Sequence, residues 1–292
     1  MRLAWAMFIT FFIMGALLWG IFWAVAWLLG ITGSALMYGV FLFIGFMVFI
    51  QWLIGPTIVR MTTGAKECTD QRILAMVYAI ADKARIPRPR VYMVNNPTPN
   101  AFAFGRTQAS SNIALHTGLL ERLSQEEVNS VIAHEIGHIA HRDMIVMTLA
   151  SALPAILYYI IYFGVIAASS RNRDGGVNYM GAWIGGMVAQ FLATLLVLYL
   201  SRVREYYADS YSSNITKKPN DLASALAKIS YNLTQTRTPS PAAMRSFYIA
   251  DEVSSKYSAQ MEKEKGSGFM EIFMTHPLTY KRIKALEKTS LS

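Results

Sequence analysis

No charged residue occurs between Leu3 and Val59. As one helix at ~1.5 Å per residue this run would reach roughly 85 Å, against a hydrocarbon layer of ~30 Å. It must therefore turn, and Gly30-Ile31-Thr32-Gly33-Ser34 is the natural place. The pattern predicts two membrane spans, near 4–29 and 35–54, with Gly55-Pro56 closing the second. A cleaved signal peptide has a shorter apolar region, so an anchor with a hairpin partner is expected. Met144–Ser170 and Gly175–Ser201 are also uncharged and predict a third and a fourth span, joined by a short loop with Arg171 and Arg173. Pro154 predicts a kink in the third. Gly181-x-x-x-Gly185 in the fourth permits close helix contact or reflects only the glycine content of membrane helices.

The polar stretches between these runs carry other periods. Residues 70–85 read as an amphipathic helix, with Ile73, Val77, Ile80 and Ala84 on one face and Pro87 beyond its end. Val91–Val94, Ala101–Phe104 and Asn112–Leu115 read as short strands. Ser124-Gln125-Glu126-Glu127 is a capping box, and Val128, Val131, Ile132 and Ile139 then recur at helical spacing with no proline from 125 to 153. Farther on, 220–233 is an amphipathic helix, 237–268 a polar excursion, and 269–288 a short apolar stretch plus a basic helix. The predicted organisation is a transmembrane hairpin at 1–59, a soluble block at 60–143, a second hairpin at 144–201 and a C-terminal block at 202–292.

Composition agrees with membrane spans. The 292 residues are 53% hydrophobic and 15% charged, with a mean hydropathy of +0.31, too apolar for an ordinary soluble enzyme. A net charge of +9 is read as affinity for an anionic lipid surface; no motif supports a nucleic-acid partner. One cysteine, Cys68, excludes an intrachain disulfide and a cysteine-rich zinc site. Arg2, Arg60, Lys66, Arg142, Arg202 and Arg204 flank the spans on one side, and only Arg171 and Arg173 on the other. Positive charge marks the cytoplasmic side, so both soluble blocks are expected there, on a multi-pass protein of the cell membrane.

The candidate chemistry lies at His134-Glu135-Ile136-Gly137-His138. On a helix, positions i and i+4 share a face, so His134 and His138 can hold one metal ion, with Glu135 placed to take a proton from water. This spacing is the zinc signature of metalloproteases. A catalytic zinc needs a third protein ligand. The third and fourth spans must run antiparallel. If each helix continues out of the membrane, His138 and Glu205 sit at matching depth, ~8–9 Å beyond it. Glu205 is therefore the expected third ligand, in preference to an exposed carboxylate paired with Arg202 or Arg204. Asp209, one turn on, is placed to accept the other ring N–H of a ligating histidine. His141 is too far along the same helix from His134 to share an ion, and His116 has no role in this reading.

Together these segments resemble the HtpX-type integral-membrane zinc metalloproteases, whose eukaryotic relatives are the CAAX prenyl proteases. The resemblance covers nearly the whole chain. It rests on the N-terminal spans, Asn100-Ala101-Phe102-Ala103, the His134–His138 motif, two further spans, Ser201-Arg202 with Glu205 and Ala208-Asp209, and Phe273-Met274-Thr275-His276-Pro277. It implies an α+β membrane protein with four transmembrane helices and a cytoplasmic zincin-like (gluzincin) domain with a small β-sheet. It implies one zinc ion on His134, His138 and Glu205, and Glu135 as general base. It places Asn100 and His276 near the scissile carbonyl, with Arg282 supporting the site. The implied substrates are unfolded or damaged membrane proteins. An intramembrane site-two-type protease is a competing expectation, disfavoured by Glu121, Glu126, Glu127 and Arg142 close to the motif. A zinc-binding membrane scaffold without activity is another. The oligomeric state is left open.

Overall fold

A computed structural model of the chain describes residues 34–170, 177–235 and 268–290. Helix α1 (Ser34–Thr63) is followed by β1 (Lys66–Glu67), α2 (Gln71–Lys83), β2 (Arg90–Val94), β3 (Ala101–Gly105) and β4 (Ser111–His116). Then come α3 (Thr117–Arg122), α4 (Gln125–Ala140), α5 (Asp143–Ala150), α6 (Leu153–Ser169), α7 (Tyr179–Thr216), α8 (Pro219–Gln235), α9 (Gly268–Glu271) and α10 (Thr279–Ser290). The described residues are mostly helical, with one small mixed sheet. Among the described residues three segments are long and apolar enough to cross a membrane: Ala35–Thr63, Asp143–Ser169 and Tyr179–Thr216. The expected span near 4–29, the loop at Arg171–Asp174 and most of the polar excursion at 237–268 lie outside the described residues.

Several expected boundaries move. Gly55-Pro56 does not close α1, which runs on to Thr63 with Pro56 inside it. A proline disturbs the preceding turn, and there the Arg106 guanidinium donates to the Leu53 carbonyl at 2.8 and 2.6 Å. The expected unbroken helix from 125 into the third span is interrupted. α4 ends at Ala140, His141 caps it, and Arg142 adopts φ +58° before α5 begins at Asp143. A second break precedes Leu153, with Pro154 in the first turn of α6, where its missing N–H is tolerated. The helix expected as the fourth span does continue beyond the apolar run: α7 is 38 residues long and carries Glu205 and Asp209. Close approach between α6 and α7 involves Gly185 and Gly186 rather than Gly181. A Cβ on Gly186 would lie 2.8 Å from the Tyr158 ring, whereas one on Gly181 would meet its own helix-end neighbour Asn178.

The chain divides into two compact units, Met1–Gln51 with Thr148–Thr194, and Trp52–Met147 with Leu195–Ser292. The second holds the sheet, ordered β1-β2-β4-β3. β2 and β4 are parallel; β1–β2 and β3–β4 are antiparallel. The two-residue β1 was not anticipated. The core of this unit joins Val77 and Ile80 of α2, Ile113 and Leu115 of β4, Val131, Ile132 and Ile136 of α4, and Leu222 and Leu226 of α8, all buried. Truncating any of its large aliphatics to Ala costs about 2–5 kcal/mol. Its consequence for function is that α4 is gripped along its apolar face, which fixes the direction in which His134 and His138 point.

Candidate metal centre

The N-terminus of α4 is set by the expected capping box. Ser124 accepts from the Glu127 N–H at 3.3 Å, and Glu127 accepts from the Ser124 N–H at 2.8 Å. Glu127 also accepts from Ser224 at 2.6 Å and Lys228 at 2.8 Å, tying α4 to α8. Burial pushes the Glu127 carboxyl up, but Lys228, Ser224 and the cap hold it below its ordinary value of 4.5. Gly137 lies between the two histidines of the motif. A Cβ there would stand 3.2 Å from both the Ala208 Cα and the Tyr211 Cβ. The missing side chain lets α7 approach α4 closely enough to bring Glu205 alongside. The Ser212 hydroxyl, donating to the Ser130 carbonyl at 2.7 Å, fixes the same contact farther along.

His134, His138 and Glu205 converge. The two Nε2 atoms are 3.2 Å apart. Glu205 Oε1 is 3.5 Å from His138 Nε2, and Oε2 is 3.7 Å from His134 Nε2. The other ring nitrogens are both held by carboxylates. His134 Nδ1 is 3.0 Å from Asp209 Oδ1, and His138 Nδ1 is 2.6 Å from Asp143 Oδ2. These carboxylates stand at the Nδ1 edges and leave both Nε2 atoms, with the Glu205 carboxylate, facing one point. Three electron-rich groups facing one another in this way fit a cation. Donors ~2.0–2.1 Å from a tetrahedral zinc stand roughly 3.3 Å apart, close to the separations seen here. The donor set, two imidazoles and one carboxylate, suits zinc.

Charge around the trio is arranged to hold it. Glu205 is 4% exposed, so it is no surface carboxylate, and it pairs with neither Arg202 nor Arg204. Arg282 of α10, 1% exposed, places Nη1 2.9 Å from Glu205 Oε2. It also donates through Nε and Nη2 to both oxygens of Asp209, at 2.8 and 2.6 Å. Burial opposes the Arg282 charge, but Asp209 and Glu205 outweigh it and raise its pKa above the ordinary value. Burial likewise disfavours an imidazolium at His134, yet Asp209 and Glu205 hold that ring's pKa up at about 9. The potential at these nitrogens therefore favours positive charge. His276 Nδ1 lies 3.2 Å from Glu205 Oε2, and Arg202 fixes the approaching strand of chain by donating to the Ile272 and Met274 carbonyls.

Glu135 points to the sheet. Its Oε2 accepts the Ala103 N–H at 2.7 Å, and the residue is buried. β3 is an edge strand. The bond from the His116 N–H to the Asn100 carbonyl makes Asn100, Phe102 and Phe104 the residues that bond to β4. Ala101, Ala103 and Gly105 then present their backbone polar groups outward. Asn100 itself is buried at the start of β3. His116 is a buried structural residue, its Nδ1 2.9 Å from the Thr98 carbonyl, and burial lowers its pKa. His141 is exposed and stacks edge-on against Tyr207 and Tyr211, away from the ligand set. Sequence reasoning missed Asp143 and its partner Arg204, whose Nε is 3.0 Å from Asp143 Oδ2. It also missed the Ala103 N–H.

The chain is similar to known proteins over most of its length. The model of the family described as Peptidase family M48 matches residues 67–290. A protein named Protease HtpX homolog from Methanothermobacter thermautotrophicus is 41% identical over 244 residues, covering 81% of this chain and 91% of its own length. Another of that name, from Moorella thermoacetica, is 34% identical over 292 residues, covering 97% and 92%. The crystal structure of Ste24p from S. mikatae superimposes with a TM-score of 0.60 at 18% identity, over 94% of this chain and 63% of that one. That likeness concerns the fold alone.

Proposed function

Because this chain belongs to peptidase family M48 and is a membrane zinc metalloprotease, we propose that it hydrolyses peptide bonds in unfolded or damaged membrane proteins at the cytoplasmic face of the cell membrane. The residues that would hold one zinc ion per chain are His134, His138 and Glu205, whose ligand atoms all lie within 4.8 Å of one another. That convergence is the observation that carries the reading. When bound there, zinc supplies Lewis-acid polarisation of a carbonyl and lowers the pKa of water toward ~7. The rest is work for the protein. Asp209 and Asp143 hold the two imidazoles by their Nδ1 edges and keep them oriented, and Arg282 balances the buried Asp209 and Glu205 charges.

Glu135 is the general base. It takes a proton from the attacking water and returns it to the leaving amine. Its bond to Ala103 aims the carboxylate along the edge of β3. A substrate strand added to that edge would pair through the outward groups of Ala101 and Gly105 and meet the base between them. Such pairing reads backbone, so side-chain selectivity is loose, which suits unfolded substrates. His276 and Asn100 are assigned to stabilising negative charge on the scissile carbonyl oxygen. Segments 1–59 and 144–201 are taken as the membrane hairpins, and 60–143 and 202–292 as the catalytic blocks. Arg60, Arg142, Arg202 and Arg204 at the same span ends support the cytoplasmic orientation. The test is Glu135→Gln in the full chain. Zinc stays bound while hydrolysis of an unfolded protein such as casein disappears; retained proteolysis would remove Glu135 from the mechanism.

A further inference from the structure

Four arginines from three stretches of the chain line one cavity of about 370 Å³. Arg60 comes from the last turn of α1, Arg88 and Arg90 from the approach to β2 and its first residue, and Arg106 from just beyond β3. No Asp or Glu lines the cavity, and none of the side chains assigned above to metal binding or catalysis does so. Arg88 is paired with the exposed Asp82, Nε to Oδ1 at 3.0 Å and Nη2 to Oδ2 at 2.8 Å. Arg106 is anchored to the Leu53 carbonyl. Among the described residues Arg60 and Arg90 have no carboxylate within 4 Å. The buried rings of Tyr92 and Phe104, 5.8 Å apart, form an apolar wall. Like charges gathered in one concavity repel unless an anion joins them, and guanidinium forks match a phosphate.

The position on the helix says where that phosphate comes from. Spanning ~30 Å of hydrocarbon takes ~20 residues. The candidate span Ala35–Thr63 has 29, and the charged Arg60 in its last turn puts the excess at that end, past the hydrocarbon. Pro56 and Thr57, which also line the cavity, lie in those turns, at the depth of lipid headgroups. The Trp52 indole N–H, one turn earlier, donates to the Arg106 carbonyl at 3.2 Å, and Trp favours this interfacial depth. Positive residues kept only to orient the span need not converge: Arg88, Arg90 and Arg106 are remote from Arg60 in sequence, yet they share its cavity.

We propose that this cavity binds the phosphate of an anionic phospholipid headgroup, with Arg60 and Arg90 as its principal ligands. The proposal is independent of the metal site. Full-length protein in neutral detergent is titrated with phosphatidylglycerol, with phosphatidylcholine and with inorganic phosphate, and bound copies are counted by native mass spectrometry. Phosphatidylglycerol is retained at roughly tenfold lower concentration than phosphatidylcholine, and inorganic phosphate does not displace it. Arg60→Gln with Arg90→Gln abolishes the preference, and Arg90→Gln alone, at an exposed position, weakens it; unchanged thermal unfolding certifies the fold of each. Equal retention of the two lipids by the wild-type chain overturns the proposal. So does a preference that survives in both variants. Displacement by inorganic phosphate assigns the cavity to a soluble phosphate and overturns the lipid as its source.

Discussion

Asp143 reaches back across the break in the helix to hold His138: its Oδ2 atom stands 2.6 Å from the imidazole Nδ1. The left-handed turn at Arg142, φ +58°, makes this possible. In a continuous helix, residue 143 would lie five positions on, off the face that carries His138. The break thus separates the motif helix from the third span and supplies a carboxylate to orient one of its histidines.

Replacing Asp143 with Ala should therefore act on the metal rather than on the fold. Loss of such a carboxylate partner lowers zinc affinity about 10–100-fold. Competition with a chelator of known affinity measures it. An unchanged zinc affinity would mean that His138 is oriented by its packing alone.

Among the described residues Arg282 is the largest fully buried side chain, and it faces two carboxylates. Arg282→Gln leaves Asp209 and Glu205 without that charge and should destabilise the chain by about 3–5 kcal/mol. Chemical unfolding in detergent reads this directly. A loss well under 1 kcal/mol, on the same scale as an exposed pair, would show that the buried carboxylates are balanced by something else.

Glu127 gives a pH dependence with a fixed sign. Its folded pKa lies below the ordinary 4.5. Its contribution is therefore complete above the unfolded value and is lost as pH falls through the lower folded one. Glu127→Gln keeps the cap and removes the charge facing the half-exposed Lys228, so the loss at neutral pH stays below ~1 kcal/mol. Thermal unfolding of the variant and the parent should differ at pH 7 and converge as the pH falls from the ordinary value of 4.5 through the lower folded one. A gap that persists or widens in acid would contradict the assignment.

Much of this was legible in the sequence for reasons that are local. The motif histidines need only a helix, and the Ser124–Glu127 box announces it. Glu205 followed from span lengths, even though the assumed continuity failed on the His138 side. Glu205 does stand beside the histidines, because α7 is unbroken and Gly137 admits it closely. Asp143 was not legible, because its role depends on one positive φ at a non-glycine residue, which no residue pattern signals. The Ala103 N–H was hidden for a different reason. A backbone donor has no side-chain signature, and its outward direction depends on the register of β3 against β4. Arg282 was reached only through the resemblance, since α10 is remote in sequence from α7, which it buttresses.

The central claim is that α4 and α7 together hold one zinc ion. Anomalous diffraction at the zinc edge, on crystals of the full chain, tests it most directly. The account predicts one peak per chain, ~2.0–2.2 Å from His134 Nε2, His138 Nε2 and a Glu205 carboxylate oxygen. A peak elsewhere, or one at the histidines with Glu205 turned away from it, would contradict it.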